Sequence, residues 1–488
     1  MGILNIFKQP DLPRPNNPNT DKKQIRELEI ILHDWLKSDL REEQLLAEKY
    51  YDGDHDILRR EKKVIGADGN LQVIQNVANN KLVDNQYRKL VDQKTNYVLG
   101  KPITIATEDD NYLKSLNRVF SKKVHRQLRV LARYAIDGGI AWLYPYYDEN
   151  HEFKLAVYPS YEICPIWKDK EHIELDSAMR YYSENIIKDK GTVETIHRVE
   201  HFTTSGINYY RYQGGTLVPE GNSGYMVHGN EGFDWERLPI IPFKYNSDEI
   251  PLIRGVKSLQ DALNQVLSDF QNNMEEDPRT TILVLKNYDG TNIAEFRQNL
   301  ATYGVIKVTT VDGVQGGVEA LKVDVNAQNY QAILMQLKRA LVENGRGFDA
   351  KEERMDGDPN QMNIESMYTD IDLDVNAMET EFQAGFEELK WFIDRHLENG
   401  GEVNHDADIV DFIFNRDIFI NEDAKIENCV KSVGIISNKT ILANHPWVTN
   451  MEHERKEIEQ DKQAELEEME AMTAFQNKNT SKSGGDSE

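Results

Sequence analysis

Apolar residues recur at helical spacing in three long stretches of the chain. In PLIRGVKSLQDALNQVLSDFQNNMEED (251–277), Leu252, Val256, Leu259, Leu263, Val266, Phe270 and Met274 step by threes and fours, a heptad-like stripe on one face. Pro278 ends that pattern. Over 326–343 the stripe is Tyr330, Ile333, Leu334, Leu337 and Leu341. From 362 to about 398 it is Ile364, Met367, Ile371, Val375, Met378, Phe382, Phe386, Leu389, Ile393 and Leu397. At about 1.5 Å per residue the first and third would be rods of roughly 40 and 55 Å. Between the first two lies a β-rich insert: TTILVLKN, a short helix around 291–300, then YGVIKVT and VEALKVDV.

The N-terminal half changes character once. From 22 to about 135 it reads as mostly helical, and in KLVDNQYRKLVDQKTNYVLGKP the residues Leu82, Val83, Tyr87, Leu90, Val91, Lys94 and Val98 share a helical face, with Gly100 and Pro102 as the stop. From 139 to 245 the signals are short and β-like (GIAWLYPYY, FKLAVYP, ETIHRVEHF, NYYRYQ, PIIPFK), separated by turn clusters such as QGG and EGNSG. ADIVDFIFN (407–415) reads as a further strand, followed by helices with a turn at NHPWV and a strongly acidic last helix. The fold class is therefore α+β. The Pro- and Asn-rich start and the tail 476–488 are expected to be disordered.

One segment breaks the pattern. FDAKEERMDGDPNQMN (348–363) sits between two striped helices yet offers almost nothing apolar to bury. Such a connection is a surface loop, and its mixture of charges suits a loop facing something negatively charged and mobile.

A compact insert enclosed by two striped helices belongs at the tip of a stalk. A stalk one layer thick must bury its stripes against neighbouring copies, and a head-to-tail contact that closes gives a ring. The residues expected at such an interface are Leu259, Leu263, Val266, Phe270, Leu334, Leu337, Leu341, Met378 and Phe382.

Charge narrows the function classes. A net charge of -26 over 488 residues is not that of a free-standing duplex binder, although an acidic surface with few basic groups is what sliding DNA requires. No apolar run reaches the roughly 18–20 residues of a bilayer span, and the first 20 residues have no basic region before their short apolar patch, so a soluble, cytosolic chain is expected. Two distant cysteines, Cys164 and Cys429, suit a reducing compartment.

Catalytic motifs are scarce. The chain has no GxxxxGK[ST], no GxGxxG after a strand, no HExxH and no GxSxG. Histidines such as His55, His125, His197, His201 and His445 have no partner motif. Asp370, Asp372, Asp374 and Glu381 have calcium-loop spacing, but Val375 stands where the sharp turn needs glycine. These four carboxylates define the alternative reading, a metal-dependent nuclease. Otherwise no catalytic residue, cofactor or metal ligand is expected.

Several stretches together resemble the portal proteins of tailed bacteriophages, of the siphovirus type of Gram-positive hosts. They are YYDGDHDI (50–57), NNKLVDNQYRKLVDQKTNYVLGKPITI (79–105), GVKSLQDALNQVLSDFQNNMEEDPRTTILVLKNYDG (255–290), MNIESMYTDIDLDVNAMETEF (362–382) and GIISNKTILANHPWV (434–448), and the likeness runs from roughly 25 to 470. The resemblance implies a dodecameric ring at one capsid vertex around a channel for double-stranded DNA, with no catalysis and no membrane contact. It implies a disordered arm (1–21), a wing (22–250, completed by 400–415), a stem helix (251–277), a clip (278–325), a second stem helix (326–347), a tunnel loop (348–361), a long kinked helix (362–399), a helical crown (416–475) and a disordered tail (476–488). Its implied partners are the terminase large subunit, a head–tail adaptor, and the major capsid and scaffolding proteins, in a virion assembled in the host cytoplasm. The implied channel residues are Arg346, Lys351, Glu352, Glu353, Arg354, Asp356, Asp358, Asn360 and Gln361. Lys351 and Arg354 would touch phosphates, and the acidic neighbours would keep those contacts weak.

Overall fold

The computed structural model describes residues 22–65, 70–73, 78–187, 192–228, 231–276, 282–286, 317–321, 327–349, 361–416, 422–448 and 454–464. It is mixed helix and sheet, as the α+β reading expects. The chain divides into two compact units, Met1–Asp349 with Asp370–Asp417, and Ala350–Thr369 with Ile418–Glu488.

The first unit opens with helices α1 (Lys22–Leu36) and α2 (Asp39–Tyr51), the latter capped by Ser38, whose hydroxyl accepts from the Arg41 N–H. Helices α3 (Gln86–Leu99), α4 (Asp110–Val119) and α5 (Lys122–Gly138) follow. A five-stranded antiparallel sheet runs in the order Thr216–Ser223, Gly206–Gln213, Val193–Thr203, Leu175–Ile187, Ile163–Trp167. Leu28 and Leu32 of α1 cover one face of it, packing with Cys164, Met179, Val199, Tyr210 and Leu217. A three-stranded sheet places Ile140–Tyr147 between Ile241–Lys244 and Phe153–Tyr158.

The three striped helices form close to where periodicity puts them: α6 (Leu252–Glu276), α7 (Ala327–Asn344) and α8 (Gln361–Asn399). The strands Ile282–Lys286 and Gly317–Leu321 of the insert between α6 and α7 pair antiparallel. The other residues of the insert lie outside those described.

Two features correct the sequence reading. First, Leu82 and Val83 are not helical. Residues 79–85 form no helix, and α3 begins at Gln86 behind an Asn85 side chain that accepts from the Arg88 N–H. The segment is held by α6 through a ladder of polar side chains. Asn80 N–H donates to Asn272 Oδ1 (2.6 Å), Leu82 N–H to Ser268 Oγ (2.9 Å), Asp84 N–H to Asn264 Oδ1 (3.0 Å) and Tyr87 N–H to Gln260 Oε1 (2.9 Å). All four α6 side chains are buried. Four helical residues rise about 6.0 Å and two extended ones about 6.6 Å, so side chains four apart meet N–H groups two apart over the first three rungs, and the last step, Asp84 to Tyr87, takes three residues.

Second, four expected interface residues are core. Leu263, Leu341, Met378 and Phe382 are each 0% exposed within the single chain and have no surface left to offer a neighbour. In α8, Val375, Met378, Phe382, Phe386, Leu389 and Ile393 are buried. The Phe243 ring meets Phe382 and Phe386 edge-on, and Phe386 stacks on Phe412, 4.8 Å between centroids. Gly385 is needed there, because a Cβ would fall 2.8 Å from the Phe243 ring. The other expected interface residues, Leu259, Val266, Phe270, Leu334 and Leu337, stay half-buried, and Met274, Ile333 and Met335 are exposed.

The second unit contains helices Glu422–Lys431 and Asn438–Asn444 and is also helical over 454–464. Ile435 and Trp447 are 80% and 70% exposed.

Candidate functional site

Residues 350–360, with Lys351, Glu352, Glu353, Arg354, Asp356, Asp358 and Asn360, lie outside those described, as does the Gln361 side chain. What the structure gives is the anchorage of the residues on either side of that stretch.

The C-terminus of α7 closes with a Schellman pattern. Gly347 N–H donates to Val342 O (2.9 Å) and Arg346 N–H to Glu343 O (3.1 Å), with Arg346 left-handed at φ 47°. Glycine usually occupies that position, so the arginine is held there by other contacts. Its carbonyl accepts from Lys94 Nζ (3.1 Å), and its guanidinium, 64% exposed, lies 3.4 Å from Asp374 Oδ1. Gly345 and Gly347 let the backbone press on Leu90, since a Cβ at either would fall 2.6 or 2.5 Å from that side chain. The Gln93 amide then binds Phe348 at both main-chain groups, donating to its O (2.8 Å) and accepting from its N–H (3.1 Å).

Lys94 joins the two sides. Fully buried, it donates to Asp374 Oδ2 on α8 (2.5 Å) as well as to the Arg346 carbonyl. Tyr245 donates to the same carboxylate oxygen (2.5 Å). Burial pulls the Lys94 ammonium below the ordinary lysine range, and Asp374 opposes that pull. Burial, followed by the charge of Asp374, drives the Tyr245 hydroxyl well above its usual value, so it stays a donor. One ammonium therefore ties the residue where α7 ends to α8.

Asp372 points elsewhere. At about 100° per helical residue, two positions apart are about 200° apart, so Asp372 and Asp374 leave α8 in nearly opposite directions. Asp372 accepts from the Tyr97 hydroxyl (2.6 Å) and from Arg416 (2.8 Å), which also pairs with Glu379 (2.7 Å). The nuclease reading needs Asp370, Asp372 and Asp374 to converge with Glu381 on a metal, and this helix splays them. Among the described residues no group of His, Cys, Asp or Glu is arranged to hold a metal ion. Of the YDGDHD stretch, Asp54 pairs with Arg59 and Asp56 with Lys257, while His55 is buried against Tyr50.

Sequence reasoning named Arg346 but missed Lys94, which binds its carbonyl, Gln93, which binds Phe348, and Tyr245, which shares Asp374 with Lys94. Lys94 carried the signal, because a lysine on the apolar face of a helix demands a buried anion.

The charged groups at this junction join three helices of an α+β body whose α6 and α7 carry a paired-strand insert. The chain belongs to the family described as phage portal protein, SPP1 Gp6-like, whose model matches residues 37–468. It is 28% identical over 450 residues to the portal protein of Bacillus phage SPP1, across 90% of this chain and 88% of that one. It is 27% identical over 427 residues to the portal protein of Clostridium phage phiCD119, across 85% of this chain and 92% of that one. Among the described residues no helix is long and apolar enough to cross a membrane.

Proposed function

We propose that the protein forms the portal ring at one vertex of the capsid, a non-enzymatic channel through which double-stranded DNA is packaged and ejected. Twelve copies form the ring. Residues 22–250 with 400–415 supply the wing, α6 and α7 the stem, the insert 278–325 the clip, and 416–475 the crown. The clip docks the terminase large subunit during packaging and the head–tail adaptor afterwards, and the ring nucleates the procapsid of major capsid and scaffolding proteins.

The observation that carries this reading is the family match over residues 37–468, joined to the order helix, paired-strand insert, helix, polar connection, long helix. Half-buried Leu259, Val266, Phe270, Leu334 and Leu337, beside exposed Met274, Ile333 and Met335, supply the apolar surface for neighbouring copies. A net charge of -26 suits a channel that must let DNA slide, since dense basic contacts would release counterions and hold the duplex.

Negative-stain imaging of the purified protein is the first test. Rings with a central hole are expected, and a monodisperse monomer at high concentration overturns the reading. Lys351→Ala combined with Arg354→Ala is expected to impair DNA packaging while leaving rings intact. Packaging at the wild-type rate would remove the loop's role in DNA contact.

A further inference from the structure

Away from the Lys94 junction, a cavity of about 1280 Å³ opens between the α4–α5 corner, the hairpin joining Ile140–Tyr147 to Phe153–Tyr158, and the C-terminal end of α8. Its charge is the reverse of the chain's. Arg118, Lys122, Lys123 and Arg126 line it and are all exposed, and among the described residues none of the four forms an ion pair. The carboxylates in the same lining are already engaged: Glu152 pairs with Lys154 (2.5 Å), and Glu402 accepts from the Ser115 hydroxyl (2.9 Å). Between these charges lie the apolar side chains Val119, Phe153, Leu155 and Val130, the last 38% exposed, together with Gln127, Tyr146, His151 and His396.

The placement of the lysines opposes the helix that bears them. Lys122 and Lys123 occupy the first turn of α5, where the helix dipole favours anions. They therefore add nothing to the stability of α5 and stand as an exposed basic pair in a chain of net charge -26.

We propose that this groove binds an acidic amphipathic helix of a partner protein. Its apolar residues would fill the floor, and its carboxylates would meet Arg118, Lys122, Lys123 and Arg126. A peptide fits better than a nucleic acid: duplex recognition uses phosphates against an exposed basic surface, whereas this surface has a recessed apolar floor that phosphates would leave unfilled. The proposal stands on the groove alone and does not depend on the portal reading.

The test uses the full-length protein and a fluorescein-labelled synthetic helix with one glutamate face and one leucine face. Saturable binding is expected, weakened about tenfold or more by Lys122→Glu with Lys123→Glu, and likewise by Arg118→Glu with Arg126→Glu. Acidic residues suit the first turn of α5, so the first variant should fold, and an unchanged circular dichroism melt checks it. A peptide of identical composition in scrambled order is expected to bind more weakly, because it has the charge without the apolar face. Equal binding by the scrambled peptide or by a DNA duplex would mean a general polyanion surface and overturn the proposal. So would wild-type affinity in both variants, or no saturable binding at all.

Discussion

Lys94 has no water to fall back on. Its ammonium is satisfied by Asp374 and by the Arg346 carbonyl. Replacing Lys94 with Met leaves the buried Asp374 carboxylate only the Tyr245 hydroxyl and the exposed Arg346 guanidinium at 3.4 Å, so the cost is expected to be part of the roughly 3–5 kcal/mol that breaking a buried pair carries. Thermal denaturation at fixed protein concentration is expected to show a clear drop in Tm. The double variant Lys94→Met with Asp374→Leu should recover part of it, because the stranded charge is gone.

His201 gives a second, pH-dependent prediction at the same scale. It is buried on the strand Val193–Thr203 with no partner at Nε2 among the described residues, and burial lowers its pKa from 6.5 to about 4. The unfolded chain takes up this proton near pH 6.5 and the folded chain only near pH 4. The stability from keeping His201 neutral is thus complete above about pH 6.5 and is lost as the pH falls toward 4. At about 1.4 kcal/mol per pH unit, the full effect is roughly 3 kcal/mol. Urea unfolding between pH 7 and 4.5 should show this decline, and His201→Gln should flatten it.

At the scale of elements, α8 and the polar ladder make separate demands. A methyl group at Gly385 collides with Phe243, a ring itself fully buried, so Gly385→Ala is expected to lower stability by about 1–3 kcal/mol despite the better helix propensity of alanine. A stabilised variant in calorimetry would refute that account. In the ladder, Ser268→Ala removes the acceptor of the Leu82 N–H, at a cost of about 1–3 kcal/mol if the amide stays dry. Hydrogen exchange at Leu82 should accelerate well before exchange at the core of α3.

The same elements show where the sequence was legible. The ends of α6, α7 and α8 could be read within a residue or two because an apolar stripe, Pro278 and the polar connection after α7 all mark them. The strand Leu175–Ile187 went unread, since LDSAMRYYSENII mixes charge and aromatics in no clean alternation. Leu82 and Val83 misled because they continue the α3 stripe, whereas Asn85 marked the true start. Gln260, Asn264, Ser268 and Asn272, four apart on α6, form a polar stripe that apolar periodicity alone does not mark as buried.

For the whole molecule, periodicity identifies a buried face without naming what buries it. The α8 stripe read as a seam between copies, yet from Ile371 on it is core of the first unit, closed by Phe243 and Phe412 of the same chain. On α6 and α7 the stripe is covered at Leu263 and Leu341 and open toward Met274 and Met335. The prediction at this scale follows from that division. Met335→Glu with Ile333→Glu should leave the circular dichroism melt of the subunit nearly unchanged and abolish rings in sedimentation velocity. Rings that survive would place the contact between copies elsewhere.

The ladder between α6 and residues 80–87 has one more consequence. Two rulers of unequal pitch coincide over only a short run: the mismatch of about 0.6 Å per rung accumulates to nearly 2 Å by the fourth. The final step already takes three residues, from Asp84 to Tyr87, where the others take two. Like a vernier, such a scale can be read at one setting only. Two stretches separated by up to 192 positions along the chain are thereby locked in a single alignment, and removing any one residue between Asn80 and Asp84 would misalign every rung beyond the cut.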